Sequence, residues 1–550
     1  MWTEGNFQRK PVELRAVLPH PSPLPAGAGA TPAAFVREEA PQQFEAVTKV
    51  LPLPAGAGRG EGENVRHSTA VRTAPNRART QPLVQRTVSS RREWLRQASS
   101  GVGSVALASL LAREGWLQAA ETPALANPLT PRPPHFAAKA KAVIYLSMHG
   151  GPSQVDTFDP KPALMKFDGQ APPEEFHQLK LQFTDVKKQK LMGSRQTFTR
   201  CGRSGMEICD SLPQLQQCAD ELCVIRSLHH EVFNHTPAIW MLNTGSALPG
   251  RPALGAWLTY GLGCAADNLP AFVVMHARPL KPGPGVWGNG FLPAAYQGTR
   301  VGIGATPIPY LTAPAELRGG NQRAVLDYVQ ELNRRHAAER LDTELDARIA
   351  SYELAFRMQA AAPEAVDLRR ERAATRTLYG PGFGEQCLIA RRLVERGVRC
   401  VQIYHGGDNE DWDTHGDNHN GQTRRMREVD QGCAGLLKDL RSRAMLEDTL
   451  VGWSGEFGRT PTTEGNNGRD HSPYGYSMWL AGGGMRGGLV YGGTDELGFR
   501  AVERPVHMHD LNATLLHQFG LNHERLTWRH EGRDYRLTDV FGDVVKGVLA

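Results

Sequence analysis

Six acidic and imidazole side chains, Asp156, Asp413, His415, Glu456, Asp470 and His471, stand just outside apolar runs of this chain. Carboxylates and imidazoles converging on one or two cations are what metal-assisted ester hydrolysis requires, because the cation polarises the ester oxygens and activates a nucleophile. This donor mixture suits zinc, manganese or iron better than calcium, so a divalent transition metal, zinc or manganese, is the expected cofactor. Arg459 and Arg469 flank the same residues. A guanidinium matches two oxygens of a phosphate or sulfate, the alternative being a loop-shaping salt bridge to Glu464 or Asp470. Taken singly, Asp156 and Asp413 also fit turns or helix caps. Taken together they point to a metal site: histidine is only 19 of 550 residues, yet His405, His415, His419 and His471 all fall in or beside these loops. His405 and His419 equally suit donors behind the ligands or loop surface.

The elements that must position these groups are short apolar runs alternating with helical patterns. Strands are predicted at 141–148, 222–227, 271–276, 398–404, 449–454 and 477–481, and helices at 211–220, 237–244, 253–261, 386–396, 424–443 and 509–519. That alternation predicts an α/β fold with a doubly wound, mainly parallel sheet between helices. In such sheets chemistry sits outside the carboxyl ends of the strands. Residues 319–378 read as a helical insertion packed on the sheet rather than a coiled coil, since no heptad is sustained and Pro363 interrupts it. The Gly- and Pro-rich stretch 279–314 reads as loop. Gly482-Gly-Gly-Met-Arg-Gly-Gly488 lacks the Lys-Ser/Thr of a phosphate-binding loop and reads as a turn.

The run Glu447-Asp-Thr-Leu-Val-Gly-Trp-Ser-Gly-Glu-Phe-Gly-Arg-Thr460 resembles the D-N-T-x-V-x-x-x-S-D-H-G segment of sulfatases and other alkaline-phosphatase-superfamily hydrolases. Glu456 stands where their metal-binding Asp does, and Phe457 where their His does. With Met148–Asp159, Trp412–His415 and Gly468–His471, the chain is identified from about Ser90 to its end as a member of the DUF1501 family of exported, sulfatase-like proteins. The resemblance implies an alkaline-phosphatase-like fold over residues 135–550. Asp510–Leu521 resembles a helix near the end of sulfatase domains. His235-Thr-Pro-Ala-Ile-Trp-Met-Leu-Asn-Thr-Gly245 is similar to the sulfatase signature C-x-P-S-R-x-x-L-L-T-G, with histidine at the nucleophile position and Ala238 and Ile239 replacing Ser and Arg. A formylglycine cannot arise from His235. Three readings remain: Thr236 as alkoxide nucleophile, His235 as metal ligand or phosphoryl acceptor, or binding without catalysis. Histidine more often ligates or positions than attacks, so ligation ranks first.

Charge and composition bound the partners. Residues 1–112 hold 14 Lys/Arg against 8 Glu, while the remainder carries 49 charges of each sign, so no nucleic-acid-binding surface is expected. Residues 1–89, where Leu24-Pro-Ala-Gly-Ala-Gly29 recurs as Leu53-Pro-Ala-Gly-Ala-Gly58, are too poor in apolar side chains to build a core and read as a disordered extension. Residues 90–126 resemble a twin-arginine signal: Ser90-Arg-Arg-Glu-Trp-Leu-Arg96, an apolar run Gly101–Ala112 too short to span a bilayer, and Ala124-Leu-Ala126 as cleavage site. A surface amphipathic helix is the alternative. The twin-arginine export machinery is the implied partner, with a periplasmic or extracellular destination and no transmembrane helix in the mature chain. Eight cysteines without a CxxC pair exclude a zinc ribbon, and four of them within residues 201–223 allow one or two disulfides after export. The expected activity is metal-dependent hydrolysis of a phosphate or sulfate ester, the substrate being an anionic ester, polysaccharide included. The alternative is an extracytoplasmic binding or cell-surface protein that keeps the fold without turnover.

Overall fold

The computed structural model describes residues 127–302, 307–308, 311, 321–339, 343–407 and 411–550. The extension expected at 1–89 and the signal expected at 90–126 therefore lie outside the described residues, as do parts of the insertion expected at 319–378. One mixed sheet of nine strands is the frame on which the loops are set. In chain order the strands are β1 Ala142–Met148, β2 Leu222–His229, β3 Phe272–His276, β4 Thr299–Arg300, β5 Cys400–His405, β6 Thr449–Ser454, β7 Tyr476–Ala481, β8 Leu489–Tyr491 and β9 Val506–His507. Their spatial order is β8-β2-β7-β6-β1-β5-β3-β4, with β9 also paired to β2. All pairings are parallel except those of β7, which runs antiparallel to both β2 and β6. β1 and β6 are buried at every position, as near-continuous apolar runs covered on both faces must be.

Register brings the strand ends level. Ile144 of β1 faces Val401 of β5 and Val451 of β6, so Met148 lies against His405, and Ser147 against Ser454. The loops after β1, β5 and β6 consequently leave the same edge of the sheet. Because β7 is reversed, the loop that precedes it arrives at that edge too.

Helices α1 His235–Thr244, α2 Leu254–Leu262, α3 Asn321–Glu339, α4 Thr343–Val366, α5 Ala373–Tyr379, α6 Phe383–Glu395, α7 Asn418–Ser442 and α8 Met508–Gln518 complete the frame. α1 stops at Gly245, whose φ of +66° forms a left-handed cap with its N–H donating to Met241 O. A Cβ there would lie 2.1 Å from Leu537 O, so the position admits only glycine. Arg391 and Arg392 of α6, and Arg396 just past its end, meet Glu364 of α4, Glu371 and Asp439 of α7, tying the insertion helices to the helical layer.

Three expectations need correction. The helix predicted at 211–220 is a single turn, Pro213–Gln216, followed by a 3-10 turn at Ala219–Glu221. Leu212, Leu215, Cys218 and Ala219 are all buried, and the chain must enter β2 at Leu222. Pro363 does not interrupt α4, because it lies in the final turn, where the lost N–H costs one hydrogen bond. The eight cysteines form no disulfide; each thiol is buried separately, Cys209 against the Met426 sulfur at 3.3 Å. Among the described residues no helix is long and apolar enough to cross a membrane.

Candidate metal centre

Four side chains from three loops meet at the sheet edge. His235 opens α1, six residues past β2; Asp413 and His415 follow β5; His471 lies in the loop leading into β7. Each offers a ligand atom, and these atoms all lie within 4.8 Å of one another. Asp413 is the hub. Its Oδ1 is 2.8 Å from His415 Nε2 and 3.0 Å from His471 Nε2, and its Oδ2 is 3.2 Å from His235 Nε2. The Nε2 atoms of His415 and His471 are 3.0 Å apart. Ligand atoms sharing a tetrahedral zinc-sized ion at its usual bond lengths stand about 3.3 Å from one another, so the spacing fits one first-row cation.

What lies behind the imidazoles assigns their protons. His235 Nδ1 is 2.6 Å from Glu456 Oε1, His415 Nδ1 contacts Glu464 Oε2, and His471 Nδ1 faces Phe233 O at 2.8 Å and Gln182 Oε1 at 2.9 Å. A backbone carbonyl only accepts, so His471 carries its proton on Nδ1. Burial holds the His471 pKa down to about 4, so the ring is neutral and its Nε2 presents a lone pair. That lone pair points at a carboxylate oxygen and at another imidazole nitrogen. A divalent cation resolves the conflict, and three imidazoles oriented from behind by two carboxylates and a carbonyl are the usual surroundings of one.

These contacts set the charges at the centre. Burial lowers the affinity of His235 for a proton, but hydrogen bonds to Asp413 and Glu456 outweigh it and carry its pKa up to about 9. Burial would raise Asp413, yet the Arg459 guanidinium and the three imidazoles hold it far below the usual carboxylate range. Glu456 is held down mainly by His235 against its burial, whereas burial leaves Glu464 raised. Phe457, fully buried, stacks on His471 at 4.5 Å and packs against His235 at 4.8 Å, closing the inner side. The outer side is open at His415, whose side chain is 28% exposed.

The other sequence-predicted residues lie elsewhere. Asp156 is buried outside the cluster, where Ser153 Oγ, Asn418 Nδ2 and Arg469 Nε donate to its Oδ2 and Ser194 Oγ to its Oδ1. Glu456 is turned toward His235 and the Gly150 N–H, behind the ligands rather than among them. Asp470 accepts from Phe183 N, Thr184 N, Thr184 Oγ1 and His471 N, although with His415 and Glu464 it also brings three donor atoms together. Thr236 is half-buried in the first turn of α1 and outside the group.

The anion-handling role expected of the two arginines needs correction. Arg459 and Arg469 are fully buried. Arg459 donates to Gly150 O, Gly151 O, Arg469 O and, at 2.5 Å, Asp413; Arg469 donates to Thr460 O, Met192 O and Asp156. Every guanidinium nitrogen is committed within the protein, and neither arginine pairs with Glu464 or Asp470. They brace the loops instead. His405 accepts from Trp412 Nε1 and pairs with Glu428. Sequence reasoning missed the roles of Glu464, Gln182 and Phe233 O, since a hydrogen-bond partner behind a ligand leaves no spacing signature.

Several solved structures are similar at low identity. The lipoteichoic acid synthase LtaP from Listeria monocytogenes is 8% identical, covering 75% of this chain and 78% of its own, with a TM-score of 0.31. The PsFucS1 sulfatase from Pseudoalteromonas sp. is 13% identical over 72% of this chain and 69% of its own, with a TM-score of 0.30. The phosphonate monoester hydrolase SpPMH from Silicibacter pomeroyi is 11% identical over 56% and 68%, with a TM-score of 0.27. Likenesses of this strength assign neither activity nor substrate. No curated protein matches the chain. The family described as protein of unknown function (DUF1501) matches residues 140–549, a span that holds the whole sheet and every residue of the His/Asp cluster, and the chain belongs to that family.

Proposed function

We propose that this protein is an exported, metal-dependent hydrolase of phosphate or sulfate esters that works without a formylglycine. The observation that carries the reading is the convergence of His235, His415 and His471 Nε2 on Asp413, with the far nitrogens engaged by Glu456, Glu464 and Phe233 O. His235, Asp413, His415 and His471 would hold the ion, zinc or manganese by donor type. When bound, such an ion supplies the positive charge that polarises an ester oxygen. Glu456 and Glu464 keep the protons of His235 and His415 on Nδ1, and Phe457 excludes water from the inner face. His235 as a ligand is no longer a phosphoryl acceptor, which leaves the Thr236 hydroxyl, one residue on, as the candidate nucleophile.

Aryl phosphate, a phosphodiester and aryl sulfate are to be assayed side by side with added zinc, manganese or magnesium. Turnover of phosphate esters that disappears in His415→Ala is expected, with Thr236→Ala reporting whether its hydroxyl takes part. Absence of turnover on every ester by protein that is folded and metal-loaded would replace the reading with that of a binding protein.

A further inference from the structure

The open side of the His/Asp centre is not bare. Between the short helical turn at Glu174–Phe176 and the bridge at Leu191, the segment 179–190, Leu-Lys-Leu-Gln-Phe-Thr-Asp-Val-Lys-Lys-Gln-Lys, crosses the loop that carries Asp470 and His471. It is tied down at both ends. Tyr474 Oη donates to Lys180 O at 2.9 Å, and Thr463 N donates to Lys190 O at 2.8 Å. In the middle, Phe183 N, Thr184 N and Thr184 Oγ1 all donate to one oxygen of the buried Asp470, at 3.1, 3.1 and 2.9 Å, while Gln182 Oε1 lies 2.9 Å from His471 Nδ1. The backbone is therefore fixed relative to the imidazoles.

What this fixed strap displays is unusual in two respects. Phe183 is 60% exposed, and its ring stands edge-on to His415 at 5.0 Å and to His471 at 5.7 Å. An aromatic side chain held in water beside the accessible face of a metal centre meets the organic part of whatever reaches that centre. Lys180, Lys187, Lys188 and Lys190 are all exposed on the same strap, and among the described residues none of their ammonium groups forms an ion pair or hydrogen bond. Asp185 is the strap's one acid, and its carboxylate caps the turn at Lys187 N. The mature body is otherwise balanced in charge, so this is a local concentration of unneutralised cations.

We propose that the strap 179–190 is the substrate-recognition element of the His/Asp centre and that it takes an anionic glycan, with Phe183 stacking on a sugar ring and the four lysines receiving phosphate or sulfate groups along the chain. This rests on the ester-hydrolase reading and names its substrate class. It also replaces the role that buried Arg459 and Arg469 do not fill. One aromatic ring with cations spread beside it suits a polymer whose charges are spaced by saturated rings; a nucleic acid would be met by several aromatic rings and a continuous basic groove.

The probes are dextran sulfate, uncharged dextran of equal length, and an oligothymidylate of matched charge, titrated against the full chain by affinity electrophoresis at two salt concentrations. Metal content is measured on the same samples. Dextran sulfate is expected to bind with a salt-dependent affinity, and both dextran and the oligonucleotide to bind more weakly. The K180Q/K187Q/K188Q variant should lose about tenfold in affinity and flatten the salt dependence. Phe183→Ala should lose about tenfold at either salt level, with Phe183→Trp restoring it. Metal content is expected to be unchanged in all three variants. Retention of wild-type affinity in both the lysine and Phe183→Ala variants, tighter binding of the oligonucleotide, or loss of metal on removing Phe183 would each overturn the proposal. Binding by the strap in a chain that holds no metal would overturn the hydrolase reading alone and leave the recognition element standing.

Discussion

At the scale of single residues, the centre is a carboxylate surrounded by imidazoles whose outer nitrogens are already spoken for. The carboxylates behind them have a measurable role. Replacing Glu464 by Gln keeps the shape but weakens the hold on the His415 Nδ1 proton, so metal affinity should fall by roughly 10–100-fold without loss of fold. Competition with a metallochromic chelator, alongside circular dichroism, checks this. Unchanged affinity would show that Glu464 only fills space. Asp413, His415 and His471 stand out in the sequence as acids and imidazoles clustered after strand ends, whereas His235 stands out only through its place in the sulfatase-like signature. Which of them would point inward was not legible. Asp156 and Asp470 carry the same sequence signal as Asp413, and what their oxygens accept from residues distant in the chain, Ser194 and Asn418 for Asp156 and Thr184 for Asp470, is visible only in the fold.

At the scale of elements, two buried features hold the loops in place. Asp156 pairs with Arg469 at 3.0 Å and is nearly inaccessible, and burial opposes its charge while Arg469 and three hydrogen-bond donors hold its pKa below that of a free aspartate. A carboxyl whose folded pKa is depressed adds stability that is complete above its unfolded value near 4 and is lost as pH falls below it. Asp156→Asn should therefore cost about 3–5 kcal/mol near neutrality, by leaving Arg469 unpaired, and should shrink the gap from wild type below pH 4. Thermal melts at pH 7 and pH 3 test it, and an equal gap at both would contradict it. Gly245→Ala should lower the melting temperature as well, since φ is positive there and the added Cβ meets Leu537 O. The six predicted strands lie within a few residues of β1, β2, β3, β5, β6 and β7, because buried strands are bounded by abrupt changes in polarity. Short edge strands such as β4, β8 and β9 are not legible, since their two or three residues carry no period and are placed by their partners.

For the whole molecule, the fold class follows from alternation of apolar runs and helical patterns, and the nine-stranded mixed sheet has that form. The reversal of β7 could not be read, as strand direction leaves no mark on composition. It matters because it brings Asp470 and His471 to the edge where β1, β2, β5 and β6 end. Residues 1–89 are proposed to add nothing to that body, and export is proposed to need Arg91 and Arg92. Deleting 1–89 should leave the melting temperature unchanged, and replacing both arginines by lysine should retain the protein in the cytoplasm, as fractionation would show. The central claim is that the sheet edge binds a metal ion. Elemental analysis of the purified chain, compared with His235→Ala and His471→Ala proteins of native circular dichroism, tests it most directly. A stoichiometric first-row transition metal is expected in the wild type and little or none in either variant. A wild type without metal, or an occupancy indifferent to both substitutions, would contradict it.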